Sequence, residues 1–219
     1  LWGTKDKYIQ GAIRNATLAS DIYPGWRCRF YCGEDVPVEI KNKLKTLGAE
    51  VIISKMIKPY DGLFWRFQVI NDPEVRYFLV RDCDSVINIR ERVAVDEWIL
   101  SKKYFHIIRD YFTHTELILA VMWGGISGVL PSVETIKTHF RSKLIETPHL
   151  DHWVLRDTVW PIVKQDCLIH DSWFKFSDSK DFPALGSLLP GHHVGENEHA
   201  VKRIKSDKKV RIRARVKPM

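Results

Sequence analysis

Two carboxylates spaced two apart at the end of an apolar run are the strongest chemical signal in the sequence. Tyr77-Phe78-Leu79-Val80 leads directly into Arg81-Asp82-Cys83-Asp84-Ser85. Successive side chains of a strand point to opposite faces, so Asp82 and Asp84 share one face, and a strand that ends there delivers both to one point at the sheet's edge. Hard oxygen ligands suit Mg²⁺ or Mn²⁺, ions that bind through one or two carboxylates and fill their shell with water and substrate phosphates. On a solvated turn the same pair would do no chemistry, so its meaning depends on the elements that place it. Arg81 beside it has two readings, a diphosphate contact or a surface ion-pair partner.

Those elements are legible on both sides. Residues 8–22 space Ile9, Ala12, Ile13, Ala16, Ala19 and Ile22 three or four apart, an amphipathic helix closed by Tyr23-Pro24-Gly25. Residues 27–32 alternate as a strand, 36–47 form a helix stopped at Gly48, and 49–54 form the next strand. Strand, helix, strand at this spacing is a βαβ unit, hence a parallel sheet with helices on its faces. Leu1-Trp2-Gly3-Thr4 reads as the tail of a first strand that begins before Leu1. A short helix over 64–70 and a turn at 71–74 precede the strand that carries the two carboxylates. Helices follow at 90–101, 132–141 and 149–160, the last stopped by Pro161, with short strands at 105–108 and 168–171. Trp123-Gly124-Gly125 suits a sugar-binding platform or a tight turn. The expected architecture is α/β, a single domain over 1–199 with a central, mostly parallel (mixed) sheet flanked by helices and a Rossmann-like nucleotide-binding half. In open α/β sheets ligands sit outside the carboxyl ends of the strands, where Asp82 and Asp84 fall.

The chain has 219 residues, 45% of them hydrophobic, and carries eight Trp, ten Phe and seven Tyr, enough apolar surface for one full core. Its net charge of +7 is unevenly placed. Nine basic residues and one Asp fall after Ala200, which leaves the first 200 residues with 25 basic and 26 acidic side chains. A neutral body with a basic, flexible tail at 200–219 lacks the basic face that nucleic-acid binding requires, so no specific nucleic-acid partner is expected. The tail reads as a linker to a further domain or a contact for an anionic surface. Cys28, Cys32, Cys83 and Cys167 lack zinc-type spacing and read as free thiols of a reducing compartment. With no apolar run of membrane-spanning length and no secretory pattern, the expectation is a cytoplasmic protein without a transmembrane segment.

A set of motifs taken together carries a resemblance. Tyr23-Pro24-Gly25-Trp26, Trp65-Arg66-Phe67, Arg81-Asp82-Cys83-Asp84-Ser85, Arg90-Glu91, Glu97-Trp98, Phe105-His106, Arg109-Asp110, His114 and Met122-Trp123-Gly124 resemble a family of metal-dependent glycosyltransferases with the GT-A fold, a fold shared with a capsid-glycosylating transferase of large algal viruses. The resemblance covers most of residues 1–195. It implies that Asp82 and Asp84 are the metal-binding Asp-x-Asp, with Asp82 also near the donor ribose. It implies that Arg66 contacts donor phosphate or sugar, and that Leu1, Trp2 and Gly3 lie where base and ribose are held. His193-Val194-Gly195 resembles the segment that closes over the diphosphate, with His193 as third metal ligand; an imidazole ligand would favour Mn²⁺ over Mg²⁺. The chain departs from the family pattern at Phe112, Ala120-Val121 and His152, which bears on the donor's identity.

Asp151, at a helix start, is the first candidate for the general base that takes the acceptor's proton, and an N-terminal helix charge is the structural alternative. Asp110 is the second candidate, with a loop-holding Arg-Asp pair as its alternative. His106 and His114 read as core or loop histidines. The leading functional reading is a metal-dependent transfer of sugar from a nucleotide-diphosphate sugar, a UDP-sugar favoured, to a hydroxyl of a glycan or glycoprotein. The reading from another class is an inactive nucleotide- or glycan-binding module of the same fold. A phosphohydrolase also uses Asp-x-Asp, but the surrounding motifs fit sugar transfer.

Overall fold

In the computed structural model the described residues are 1–58, 60–141, 149–176, 178–183 and 193–196; the basic tail, His192 and His199 lie outside them. Helix α1 (Asp6–Ile22) buries Ile9, Ala12, Asn15 and Ala16, one stripe at helical spacing. It packs on strand β1 (Arg29–Gly33), which pairs in parallel with β2 (Glu50–Ser54) from Arg29↔Glu50 to Gly33↔Ser54. Helix α2 (Val38–Thr46) makes the crossover between them and ends before Gly48, whose φ of +84° is the left-handed conformation a glycine accepts. Ala12, Ala16, Phe30, Cys32, Leu44 and Ala49 form the core of this βαβ layer.

A second, four-stranded sheet holds the rest of the body. Strands β3 (Tyr77–Val80), β4 (Phe105–Arg109), β5 (Trp123–Ile126) and β6 (Cys167–Asp171) lie in the order β3-β5-β4-β6, with β4 and β6 parallel and β5 antiparallel to both its neighbours. The molecule is thus an α/β domain with a parallel pair and a mixed sheet, flanked by helices. Helix α4 (Ile89–Ser101) starts at Asn88, whose side chain accepts a hydrogen bond from Glu91 N at 2.9 Å, and buries Glu91, Ala94, Val95 and Trp98. No helix of the described residues is long and apolar enough to cross a membrane.

Three expectations need correction. Trp123-Gly124-Gly125 is neither a platform loop nor a turn but the central strand β5. A Cβ on Gly124 would stand 2.6 Å from Phe78 O, and one on Gly125 would stand 2.8 Å from the Phe105 ring, so the neighbours' bulk requires glycines there despite their poor strand preference. The helix expected at 64–70 is one helical turn, α3 (Gly62–Trp65), followed by a 3₁₀ turn (Gln68–Asn71). Pro161 does not stop the last helix. After α5 (Val133–Arg141), α6 (Leu150–Val154) runs through a π-helical turn (Leu155–Val159) into α7 (Trp160–Val163), where Pro161 sits in the first turn and its missing N–H costs nothing.

The centre of the mixed sheet holds Phe78 edge-on to Trp123, ring centroids 5.2 Å apart, with Phe105 and Ile107 beside them. Beneath the C-terminal ends of β4 and β6 lies a fully buried ion pair, Arg109 Nε to Asp171 Oδ2 at 3.0 Å. Arg109 Nη1 also donates to Leu117 O at 2.8 Å, and Asp171 Oδ1 accepts from the backbone N–H of Trp173 and Phe174. Burial works to raise the Asp171 pKa, but those backbone donors and Arg109 together hold it below the usual carboxylate range. Replacing one partner leaves the other charge buried alone. Arg109→Leu is therefore expected to lower unfolding free energy by about 3–5 kcal/mol in urea denaturation. The depressed Asp171 pKa means that its contribution is present above the ordinary carboxyl pKa and lost as pH falls through the folded one, so Asp171→Asn should flatten the acid limb of stability against pH.

Candidate functional site

Strands β1 and β3 point the same way with no described strand between them, and a cavity of about 1140 Å³ opens there. At the carboxyl end of β3 its rim gathers residues from four separate parts of the chain. Asp82 follows β3 directly, Arg66 follows α3, Asp151 lies in the first turn of α6, and Leu1, Trp2 and Gly3 lie beside β1. Arg66 Nη1 donates to Asp82 Oδ1 at 2.6 Å. Asp151 is buried, and its Oδ1 accepts from the His152 backbone N–H at 2.9 Å. Burial raises the Asp151 pKa; Arg66 and His152 pull it back and Asp82 adds to the rise. Trp2 meets Trp65 edge-on at 6.0 Å, and Gly3, at φ +71°, donates its N–H to Asp35 Oδ2 at 2.8 Å.

The second carboxylate is fixed from the other side. Asp84 is buried, with Lys7 Nζ 3.3 Å from its Oδ2. Helix α1 lies so close that a Cβ on Gly11 would stand 2.5 Å from Asp84 Cα and 2.6 Å from Cys83 O. Asn15, one turn on, donates Nδ2 to Cys83 O at 3.0 Å and Ser85 O at 2.8 Å, while its Oδ1 accepts from Ile87 N at 3.1 Å. One side-chain amide thus satisfies three backbone groups of the loop that carries both carboxylates. Sequence reasoning missed Asn15; its signal was a single polar residue on the buried stripe of α1.

Segment 193–196 packs on this loop. Ser85 Oγ donates to Gly195 O at 3.1 Å and Val86 N to Glu196 O at 3.0 Å. Gly195, at φ +87°, lies against the Met122 sulfur, which any Cβ there would strike. The His193 ring stacks on Tyr111 at 3.9 Å and 8°, with His114 at 5.3 Å. His114 Nδ1 accepts from Asp110 N, and burial lowers its pKa to about 3, which fits a loop histidine kept neutral.

Two candidates take structural roles. Asp110 uses both oxygens on protein groups: Oδ1 accepts from Arg90 Nη2 and Oδ2 from Arg90 Nε, each at 2.9 Å, and Oδ2 also takes the Val194 N–H at 3.0 Å. It anchors the returning segment, the loop-holding alternative to a general base, and its partner is Arg90 because Arg109 bonds Asp171. Arg81 turns into the body, where its Nε meets Glu91 Oε1 at 2.7 Å, and Tyr23 Oη donates to the same oxygen at 2.7 Å. It therefore takes the ion-pair reading rather than the diphosphate one, with the pair buried instead of at the surface and Glu91 as its partner. All four cysteines are free, and burial pushes the Cys28, Cys83 and Cys167 thiols up to about 11.

Asp82 and Asp84 supply hard oxygen donors of the kind that takes Mg²⁺ or Mn²⁺, but each is paired with its own cationic group, Arg66 on one and Lys7 on the other, and of the two Asp82 lines the cavity. Among the described residues no three His, Cys, Asp or Glu side chains group to hold a metal, so the set Asp82, Asp84 and His193 is not assembled; His193 is engaged with Tyr111 instead. No protein-family model and no curated protein matches the chain.

Two outcomes follow. Because burial raises the Asp151 pKa, folding is penalised as pH rises past the ordinary carboxyl value of 3.8. Asp151→Asn should therefore raise Tm at pH 7, with the gain absent below that value, as read by calorimetry across pH. Gly11→Ala should lower stability by about 1–3 kcal/mol, an overpacking cost that exceeds the helix-propensity gain of alanine. Its denaturation midpoint checks this.

Proposed function

We propose that the chain is a metal-dependent glycosyltransferase that moves a sugar from a nucleotide-diphosphate sugar, a UDP-sugar favoured, to a hydroxyl of a glycan or glycoprotein. The observation that carries the reading is the convergence of Arg66, Asp82 and a buried Asp151 on the rim of one large cavity at the carboxyl end of β3. The motif set that resembles GT-A glycosyltransferases supports the same reading, and four free thiols suit a cytoplasmic enzyme.

The chemistry divides among the side chains. Arg66 leaves Asp82 to bind a donor phosphate, a bidentate anion site for a planar guanidinium. When bound, Mn²⁺ or Mg²⁺ held by Asp82 and Asp84 supplies Lewis acidity that neutralises the leaving diphosphate. Asp151 accepts the acceptor hydroxyl's proton as that oxygen bonds to the sugar's anomeric carbon and the carbon–phosphate oxygen bond breaks, its electron pair leaving on the diphosphate. A carboxylate with a raised pKa is the better base near neutral pH. Leu1, Trp2 and Gly3 border the space for base and ribose, and Gly195 closes the loop behind Asp84.

A binding module without turnover is favoured by one observation: Arg66 and Lys7 already neutralise both carboxylates, so the site is satisfied without a metal. The two readings separate in one assay. With Mn²⁺ and a panel of UDP- and GDP-sugars, the transferase should hydrolyse its donor slowly without acceptor, and Asp84→Ala and Asp151→Asn should each reduce that turnover by roughly 100-fold or more. Intact nucleotide binding with no turnover of any donor would favour the module, and unchanged Mn²⁺ affinity in Asp84→Ala would remove the metal assignment.

A further inference from the structure

The proposed chemistry makes no use of a histidine pair in the core of the mixed sheet. His106 on β4 and His170 on β6 are both fully buried, and His106 Nε2 lies 2.8 Å from His170 Nδ1. His170 Nε2 lies 2.9 Å from Glu97 Oε2 of α4, and Lys180 Nζ meets the same oxygen at 2.7 Å. The hydrogen bonds from Lys180 and His170 hold the Glu97 carboxyl below its usual range, so it is an ionised acceptor. The donors along this chain are then fixed: His170 carries its proton on Nε2 and accepts at Nδ1, and His106 carries its proton on Nε2. His106 Nδ1 is left as a lone pair, buried with no hydrogen-bond partner among the described residues.

An added proton has no place in this arrangement. On His170 Nδ1 it would face the N–H of His106. His106 can turn acceptor only by moving its own proton to Nδ1, and a buried N–H without a partner costs more than the lone pair it replaces. The surrounding charges act in the same direction. Glu97 and Lys180 offset each other, Arg90 acts on His170 and Arg81 on His106 as further cations, and Asp171, next in β6, is taken by Arg109. Arg81 and Arg90 have their own partners in Glu91 and Asp110. Burial, then His170 and Arg81, push the His106 pKa well below the ordinary 6.5, and burial lowers that of His170 although Glu97 pulls it back.

The pair also lies under a strap. Lys180 bridges His170 in parallel, with Lys180 N donating to Ile169 O and Asp171 N to Lys180 O, each at 2.9 Å. Phe182 packs on the His170 ring at 5.4 Å and on the Arg90 guanidinium at 4.4 Å, and its N–H donates to Ser172 Oγ at 3.1 Å. Arg90 in turn holds Asp110, which takes the Val194 N–H. What keeps segment 178–183 on β6 therefore bears on segment 193–196 and on the loop of Asp82 and Asp84.

We propose that His106 and His170 form an acid-release latch: both are neutral while β6 and segment 178–183 lie closed on β4, and both bind a proton once that edge opens. The open state then holds more protons than the closed one below pH 6.5, so closure is complete above that value and is lost as pH falls below it. Opening becomes roughly tenfold easier per histidine for each pH unit well below 6.5. Asp171 adds to this only in the carboxyl range, because its lowered pKa acts below the ordinary 3.8. Release of Phe182 uncovers Arg90 and so loosens the anchor of segment 193–196, whatever the site turns over.

Native-state amide exchange of the 219-residue chain between about pH 5 and pH 8, corrected for intrinsic exchange rates, reads the opening directly. The N–H groups of Lys180 and Asp171 report on the latch, and that of Glu50, bonded to Cys28 O in the βαβ layer, is the reference. The opening constant at Lys180 and Asp171 should rise roughly a hundredfold per pH unit well below 6.5, and at Glu50 it should not. In the double variant His106→Phe/His170→Phe the rise should vanish. Imidazole ¹⁵N spectra of the unaltered protein give the answer where that variant fails to fold: both rings should keep the Nε2–H tautomer and stay neutral at about pH 5.5. An Nδ1–H on His170, or protonation of either ring in the folded protein at pH 6.5 or above, would overturn the latch. So would an equal rise at Glu50, or a folded variant that keeps the slope.

Discussion

The loop after β3 carries Asp82 and Asp84 but belongs to no ladder, and what fixes it is a side-chain amide. Asn15 on α1 supplies two donors and one acceptor to Cys83, Ser85 and Ile87, and Gly11 on the same helix allows the backbones to touch. Loops at functional sites need backbone partners that the regular elements cannot give. Here the partner comes from the helix that also covers β1, so the position of Asp82 and Asp84 is coupled to the packing of the βαβ layer. Segment 193–196 rests on the same loop through Ser85 and Val86 and is held at its far side by Asp110.

Buried charge is the second organising device. Arg109 with Asp171, Arg81 with Glu91 and Tyr23, and Arg90 with Asp110 join elements that apolar packing alone would leave free to slide. Glu97 with His170 and His106 makes a fourth network, in which His170 Nδ1 lies 2.8 Å from His106 Nε2 and Trp98 stacks on the His106 ring. Such pairs add less net stability than their count suggests, because desolvation offsets attraction, but removing one member is costly. Of these networks the one of Arg81, Glu91 and Tyr23 lines the cavity, which Arg66, Asp82 and Asp151 also line.

Much of this was legible in the residues. Helix α1, the βαβ unit and the apolar strand β3 follow from hydrophobic period, which depends on local side-chain direction, but β3 ends at Val80 and Asp82 and Asp84 stand in the loop after it, where strand alternation does not set their faces. Strand β5 was not legible, because Gly124 and Gly125 are dictated by the rings of Phe78 and Phe105 across the sheet, and no local pattern records a neighbour's bulk. The ion-pair roles of Asp110 and Arg81 were among the readings, but their partners escaped for a related reason. Adjacency in sequence paired Arg109 with Asp110, while the fold pairs Arg109 with Asp171 and Asp110 with Arg90, partners 62 and 20 residues away. Asn15 carried a faint signal as the polar residue on an apolar stripe, and Pro161 misled because a π-helical turn before it removes the hydrogen bond that it would have broken.

The central claim is that Asp82 and Asp84 form half of a metal site whose other half is a diphosphate. Calorimetric titration of Mn²⁺ into the protein, with and without UDP, tests it most directly, because linkage requires that each ligand tighten the other by the same factor. Mn²⁺ affinity should rise at least roughly tenfold when UDP is present, and UDP affinity should rise equally when Mn²⁺ is present. Mn²⁺ binding of the same strength with and without UDP, or UDP binding indifferent to Mn²⁺, would contradict the account.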